Sequence, residues 1–292
     1  MIMDLNKLNH LIAVGDEGSI TAAAERVHLS QQALSTSIRS LEREVGVPLL
    51  DRGNSGVKVL PAGQALIDDA RILHGMAGTA LQRARRIGRG ETETLRIGHT
   101  PAVTGEEVAA WLHQANDIQA EVTSLVHQRY PDELITELTD GDLDLGLCRA
   151  IEPPHGIART LLGHHRLRVA MSVEHHLATT EQLRLQELAN ERILVWGEPG
   201  RSGYTDLLID YCRQTGGFEP HVERTARQGM PPVTAVDKSN DVAFVTHEPG
   251  TAAAGRVQVL ELQPPIYAPL HALWHQHTSS HNRDMLLSTP AS

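Results

Sequence analysis

Cysteine is nearly absent: Cys148 and Cys212 are the only two in 292 residues. No disulfide framework can staple such a chain, which suits a reducing compartment, and the two thiols read as buried and inert rather than as a redox pair. Aromatics are scarce as well, with two Phe, three Trp and four Tyr. Proteins that hold single strands or RNA loops stack bases on aromatic side chains, so this composition speaks against them. No run approaches the roughly 18 apolar residues of a membrane span, and Met1 to Leu8 has no apolar stretch behind a basic start. The expectation is a cytoplasmic protein with no membrane partner. Three enzyme signatures are also missing: Gly-x-Ser-x-Gly, Gly-x-x-x-x-Gly-Lys-Ser/Thr and His-Glu-x-x-His. A non-enzyme without a cofactor is expected.

A broad basic surface is missing too, since the net charge is −10. The charge is unevenly divided, however. Residues 1–90 hold eleven Lys/Arg against nine Asp/Glu, about +2, and the remainder carries about −12. A near-neutral head on an acidic body favours local, dimer-assisted contact with DNA over a wide cationic face. The length exceeds that of a common single domain and implies at least two.

What is present begins with short helices. Leu5, Leu8, Leu11, Ile12 and Val14 recur at helical spacing up to Gly15 and Gly18. Ser19 can cap a second helix through Val27, and Ser30 a third that starts at Gln31 and stops at Gly46. Val47-Pro48 forces an extended exit, and Leu49 to Leu60 alternates as a two-stranded wing would. From Ala62 a long helical stripe (Leu66, Ala70, Leu73, Ala77, Leu81, Ala84, Ile87) runs to Gly88-Arg89-Gly90. Its narrow seam predicts antiparallel pairing with a second copy; the competing reading lays the helix on its own domain. Beyond Glu91 strands and helices alternate. Strands are expected at 95–98, 120–126, 143–147, 166–173, 192–196, 221–224 and 242–246, and helices at 105–114, 131–139 and 204–213. Such alternation implies parallel sheets in two similar lobes.

The second and third helices have the makings of a helix-turn-helix. Ala22, Ala23 and Ala24 let two helices approach, and Leu29, Leu34, Ile38 and Leu41 form an apolar underside. The remaining face offers Gln31, Gln32, Ser35, Thr36 and Arg39, short hydrogen-bonding side chains suited to base edges and phosphates. Arg52 and Lys58 on the wing suit phosphate or minor-groove contact. An ordinary helical hairpin is the competing reading.

The order of the segment resembles the LysR-type transcriptional regulators. The matching run is Gly18 to Ser35, continuing through Ile38, Leu41-Glu42, Gly46-Val47-Pro48-Leu49-Leu50 and Arg52 to Pro61-Ala62-Gly63. The resemblance implies α/β architecture with an N-terminal all-α winged helix-turn-helix, a long linker helix and a two-lobed effector domain like the periplasmic binding proteins. The corresponding domains are 1–61, 62–90 and 91–292. Lobe I takes about 91–160 plus a return near 262–292, and lobe II about 161–261. The implied partners are a double-stranded operator, a small and commonly anionic effector, a dimer or tetramer of the chain, and RNA polymerase. Gln32 stands where the family often has Pro, Thr36 where it has Arg, Leu50 where it has Phe and Leu60 where it has Thr. Ser55 falls where the wing is often basic. Losing two basic contacts predicts a shallow dependence of DNA affinity on salt.

A cleft between lobes places its ligand at strand C-termini and helix N-termini. The candidates are His99-Thr100-Pro101-Ala102, Arg149, Arg201-Ser202 and Thr246-His247. Arg149 and Arg201 could clasp a carboxylate bidentately, or else form salt bridges at the surface or between lobes. His271, His275 and His277 would share a face if extended, yet they read better as scattered histidines than as a metal site, and the pairs His164-His165 and His175-His176 as residues on alternate faces of a strand. The competing function is a solute-binding or catalytic α/β protein with an incidental helical head.

Overall fold

The computed structural model describes residues 4–53, 56–90, 93–118, 122–225 and 230–289. Three capped helices open the chain: α1 (Leu5–Glu17), α2 (Ile20–Arg26) and α3 (Gln31–Val45). Asp4, Ser19 and Ser30 accept backbone N–H groups at the three starts, and Gly18 and Gly46 end α1 and α3 in the left-handed conformation. Their apolar faces, with Leu8, Leu11, Val14, Ala23, Leu34, Ile38 and Leu41, make one core. Leu29 is not part of that underside; it sits in the turn before Ser30 and is 37% exposed. The wing is β1 (Leu50–Gly53) against β2 (Gly56–Val59), with Leu50 opposite Val59.

Pro61 starts α4 (Pro61–Arg89), where its missing N–H is no loss, and the helix runs 29 residues. Its faces diverge. Ile67 and Ala70 join the head core, Ile72 and Gly75 are buried farther along, and Leu73, Leu81 and Ile87 are exposed.

The body contains β3 (Leu95–His99), α5 (Gly105–Ile118), β4 (Ser124–Gln128), α6 (Pro131–Asp140), β5 (Leu145–Cys148) and β6 (Ile157–Ser172). A 3-10 turn (Leu185–Leu188), β7 (Arg192–Val195), α7 (Gly203–Gln214), β8 (His221–Arg224), α8 (Pro232–Ala235), β9 (Asp241–Val245), β10 (Gly250–Ala252), β11 (Val257–His275) and α9 (His281–Leu287) follow. The strand order is β4-β3-β5-β11-β6-β9-β7-β8, with β10 on β11. β3 is parallel to β4 and β5, and β7 to β8 and β9, as the alternation predicts. Lobe I is built on the β3 side and lobe II on the β9 side, each around its own apolar cluster.

The lobes are joined by long antiparallel strands, β6 and β11, which pair from Val257↔Ser172 to His275↔Ile157 with a break between Glu261 and Ile266. The chain therefore passes between lobes within two continuous strands rather than through loops. Sequence patterning found only the lobe II half of β6 and missed β11. The lobe I half of β6 interleaves Arg159, Thr160, His164 and His165, and β11 carries Pro264, Pro265 and Pro269, which disrupt a strand signal. The strand expected at 120–126 begins at Ser124, with 119–121 outside the described residues. The one expected at 143 begins at Leu145, because the Asp144 carboxylate accepts from the backbone and guanidinium of Arg96.

Candidate functional site: a polar helix face and an interlobe cleft

Full burial of Leu34, Ile38 and Leu41 turns the other face of α3 outward. Gln31, Gln32, Thr36 and Arg39 are exposed on it and Ser35 is half-buried. Thr36 Oγ1 donates to the Gln32 carbonyl at 2.8 Å, which leaves that hydroxyl as an acceptor and a poor phosphate ligand. Lys58 is exposed on β2, opposite Asp51. Arg52 pairs through its backbone with Val57, while its side chain and Ser55 lie outside the described residues. Lys7, Arg26 and Arg71 are held in ion pairs with Glu44, Asp16 and Glu17. Two cations of the head and one of the linker helix are thus neutralised within the fold.

The second region is a cavity of about 1050 Å³ between the lobes. Thr100 to Ala102 reach it after β3, Arg149 after β5, Trp196 after β7, Arg201 and Ser202 at the start of α7, and Thr246 and His247 after β9. All follow strand C-termini, where open α/β sheets hold ligands. Two polar atoms here are buried without a partner: Thr100 Oγ1 and Trp196 Nε1. An unsatisfied buried donor or acceptor costs about 1–3 kcal/mol, which a ligand can recover. Trp196 was not among the sequence candidates; its place as the residue after β7 was the available signal.

Two expectations are corrected. His99 does not line the cavity: its Nδ1 faces the Val103 carbonyl at 2.8 Å and the Thr100 carbonyl at 3.2 Å, so the ring shapes its own turn. The Thr100 N–H is not free either, since it donates to Leu147 at 3.0 Å. Arg149 borders the cavity, but its guanidinium is already committed to protein acceptors. Nε donates to Ala102 O, Nη1 to Ala268 O and Pro269 O, and Nη2 meets Glu107 and His165. It is the salt-bridge alternative, fully buried, and it braces β3, α5, β6 and β11 together. Glu107 also meets His165 and accepts from the Thr104 N–H. Burial alone would push the Glu107 carboxyl up; the His165 hydrogen bond, the Arg149 charge and the Thr104 N–H outweigh it and bring it down to about 2.

Arg201 is exposed and, among the described residues, paired only with Glu198, at 3.5 Å, so it can turn toward a ligand. Ser202 Oγ accepts from the Thr205 N–H as the cap of α7. The Thr246 and His247 carbonyls are fixed by Arg168, whose guanidinium also meets Glu248 and Glu261. His247 Nε2 lies 3.6 Å from Glu106 of α5, a contact from lobe II to lobe I. A second interlobe contact is closer: a Cβ on Gly203 would stand 1.9 Å from the Ala150 carbonyl, so the start of α7 packs directly on the turn after β5.

The remaining candidates are structural. Burial pushes both thiols, Cys148 and Cys212, up to about 12, out of reach of the reactive thiolate. His275 Nε2 meets the Ile72 carbonyl of α4 at 3.1 Å, joining linker and body, and His277 lies beyond the end of β11. Those histidines do not converge on a metal position.

Residues 5–64 match the family of bacterial regulatory helix-turn-helix proteins, lysR family, and residues 88–284 match the LysR substrate binding domain. The chain is 30% identical over 220 residues to the HTH-type transcriptional regulator TfdS of Cupriavidus pinatubonensis, covering 75% of this chain and 74% of that protein. It is 30% identical over 226 residues to XapR of Escherichia coli, covering 77% and 76%. Among solved structures, CbnR, a LysR family regulator, superposes with a TM-score of 0.57 at 20% identity over 98% of this chain and 99% of that one. CbnR bound to its target DNA gives 0.60 at 20% identity, with 98% of each chain covered. Full-length OxyR from Pseudomonas aeruginosa gives 0.61 at 18%, covering 99% and 94%. The chain belongs to the LysR family of bacterial transcriptional regulators, with a DNA-binding head, a helical linker and a two-lobed effector-binding body.

Proposed function

We propose that two copies of this cytoplasmic regulator pair through α4 and set two α3 helices into major grooves of an interrupted, two-fold operator. Half-sites would lie about 10 base pairs, or a multiple, apart. Gln31, Gln32, Ser35 and Arg39 read bases and phosphates, and Lys58 and Arg52 hold the flanking backbone. The pairing surface is supported by Leu73, Leu81 and Ile87, which project from a helix that packs on its own chain through other residues. The working units are 1–61, 62–90 and 91–292, with lobes meeting inside β6 and β11.

The effector is a small molecule with an anionic group, held in the interlobe cavity. Thr100 Oγ1 and Trp196 Nε1, buried and unpartnered in two residues that line the cavity from opposite lobes, are the observation that carries this reading. Helix N-termini favour anions, and Arg201 and Arg224 are the arginines that line the cavity apart from the buried Arg149. Ligand contacts on both lobes bias their closure, and closure changes how the heads are presented to DNA and RNA polymerase. Nothing in this account requires turnover.

A thermal-stability screen of small carboxylates, each beside its neutral amide, tests it. Carboxylates should raise the unfolding temperature more, and Thr100→Val and Arg201→Gln should remove the difference. Equal stabilisation by the amides would overturn the anionic assignment. Deleting residues 1–60 separates the regulator from a binding protein or enzyme with an incidental head: operator binding must vanish while ligand binding persists.

A further inference from the structure

His175 and His176 do not lie on alternate faces of a strand. β6 ends at Ser172, and the His175 N–H donates back to the Ser172 carbonyl at 3.0 Å, closing a turn. Both imidazoles consequently face one carboxylate, Glu191. His175 Nε2 is 3.2 Å and His176 Nε2 is 3.3 Å from its two oxygens, and the rings stack with centroids 4.5 Å apart. Both segments are anchored. Leu177 packs on the lobe II core, and Glu191 follows the 3-10 turn whose Leu185 and Leu188 are buried, with its N–H donating to Leu188 at 3.0 Å.

The charge balance here is unusual for this fold. Other well-buried carboxylates, Glu107, Asp144 and Asp241, each hold an arginine: Arg149, Arg96 and Arg192. Glu191, with its side chain 12% exposed, is given two imidazoles and no arginine or lysine among the described residues. Two histidines and a glutamate are a known ligand set for a three-ligand zinc centre that keeps an open position. Bond lengths of about 2.0–2.2 Å put neighbouring tetrahedral ligands roughly 3.3 Å apart, and each imidazole lies at about that distance from one oxygen of the carboxylate, so a small rotation of the carboxylate brings one oxygen to both. The three ligand atoms all lie within 4.8 Å of one another, and His176 is 68% exposed, so the group is reachable from solvent.

We propose that His175, His176 and Glu191 bind a divalent late first-row transition metal, with zinc the natural probe. Softer thiolate-selective ions are disfavoured by the N/O donor set. Coordination through His175 Nε2 moves that ring's proton to Nδ1 and gives up the long 3.3 Å contact from the Leu177 N–H. The site stands at the N-terminal end of β7, roughly 16 Å along the chain from Trp196 at the other, so it is separate from the effector cleft. It clamps the turn after β6 to the segment entering β7.

The test titrates untagged, chelator-stripped full-length protein with Zn²⁺ against a chromophoric indicator. The wild type should take one equivalent per chain in the tight phase. His176→Ala and Glu191→Gln should each weaken that phase by more than about 100-fold, beyond the effect of an outer hydrogen-bond partner. His155→Ala, an exposed histidine elsewhere, should leave it unchanged. Metal-free melting curves identify any variant that misfolds, and His176, being exposed, supplies the variant least exposed to that problem. Absence of a tight equivalent in the wild type, or equal affinity in the folded His176→Ala and Glu191→Gln proteins, would overturn the proposal.

Discussion

Arg149 is the residue on which the body most depends. A buried guanidinium bonded on all sides is stable only while its partners remain, and if it goes the buried Glu107 carboxylate loses its arginine and keeps only His165 and the Thr104 N–H. Arg149→Met should therefore lower unfolding free energy by about 3–5 kcal/mol, read as a fall in the urea midpoint. The pH dependence follows from Glu107, whose value when folded, about 2, is below its ordinary 4.5. Its stabilising contribution is complete above about pH 4.5 and is lost as the pH falls toward 2. Wild-type stability should drop more steeply over that window than that of Glu107→Gln. Equal slopes in acid titrations followed by circular dichroism would show that the network is not held by charge.

At the scale of elements, α3 separates support from recognition by face. Gln31→Ala should weaken operator binding by about 1–3 kcal/mol without moving the melting temperature. Leu34→Ala should do the reverse first, destabilising the head by about 2–5 kcal/mol. Lys58→Ala should weaken all sequences alike and reduce the salt slope by about one. That slope should be shallow to begin with, since Lys7, Arg26 and Arg71 are already paired. α4 offers a second test. A Cβ at Gly75 would come within 1.9 Å of the Thr139 carbonyl at the end of α6, a contact only glycine permits. Gly75→Leu should loosen the linker from the body and raise amide exchange in the middle of α4 while leaving β6 and β11 protected. Unchanged exchange there would mean that this contact does not hold the linker.

For the whole molecule, the exposed stripe on α4 decides the assembly. Leu81→Asp places a charge in the middle of the proposed pairing surface and should shift the particle toward monomer, measured by light scattering during size exclusion. A monomer so produced should retain its effector and lose cooperative binding to two half-sites. If it stays dimeric with full operator affinity, the interface lies elsewhere.

Local physics explains how much of this was legible in the sequence. The caps Ser19 and Ser30, the stops Gly18 and Gly46, and the helical spacing of Leu34, Ile38 and Leu41 act within a few residues, so the head and, to within one residue, the start of α4 could be read from order alone. The parallel strands of each lobe were legible for the same reason. What tertiary structure decided lies across long separations. β11 is a strand because β6 satisfies its backbone, despite its prolines. His99 turns from the cavity because Val103 takes its ring, and Arg149 is a brace because Glu107, 42 positions earlier, is brought to its guanidinium. A side chain's type states what it can bond to; which acceptor reaches it first is settled only when distant segments pack, and that choice separates a ligand contact from a structural one.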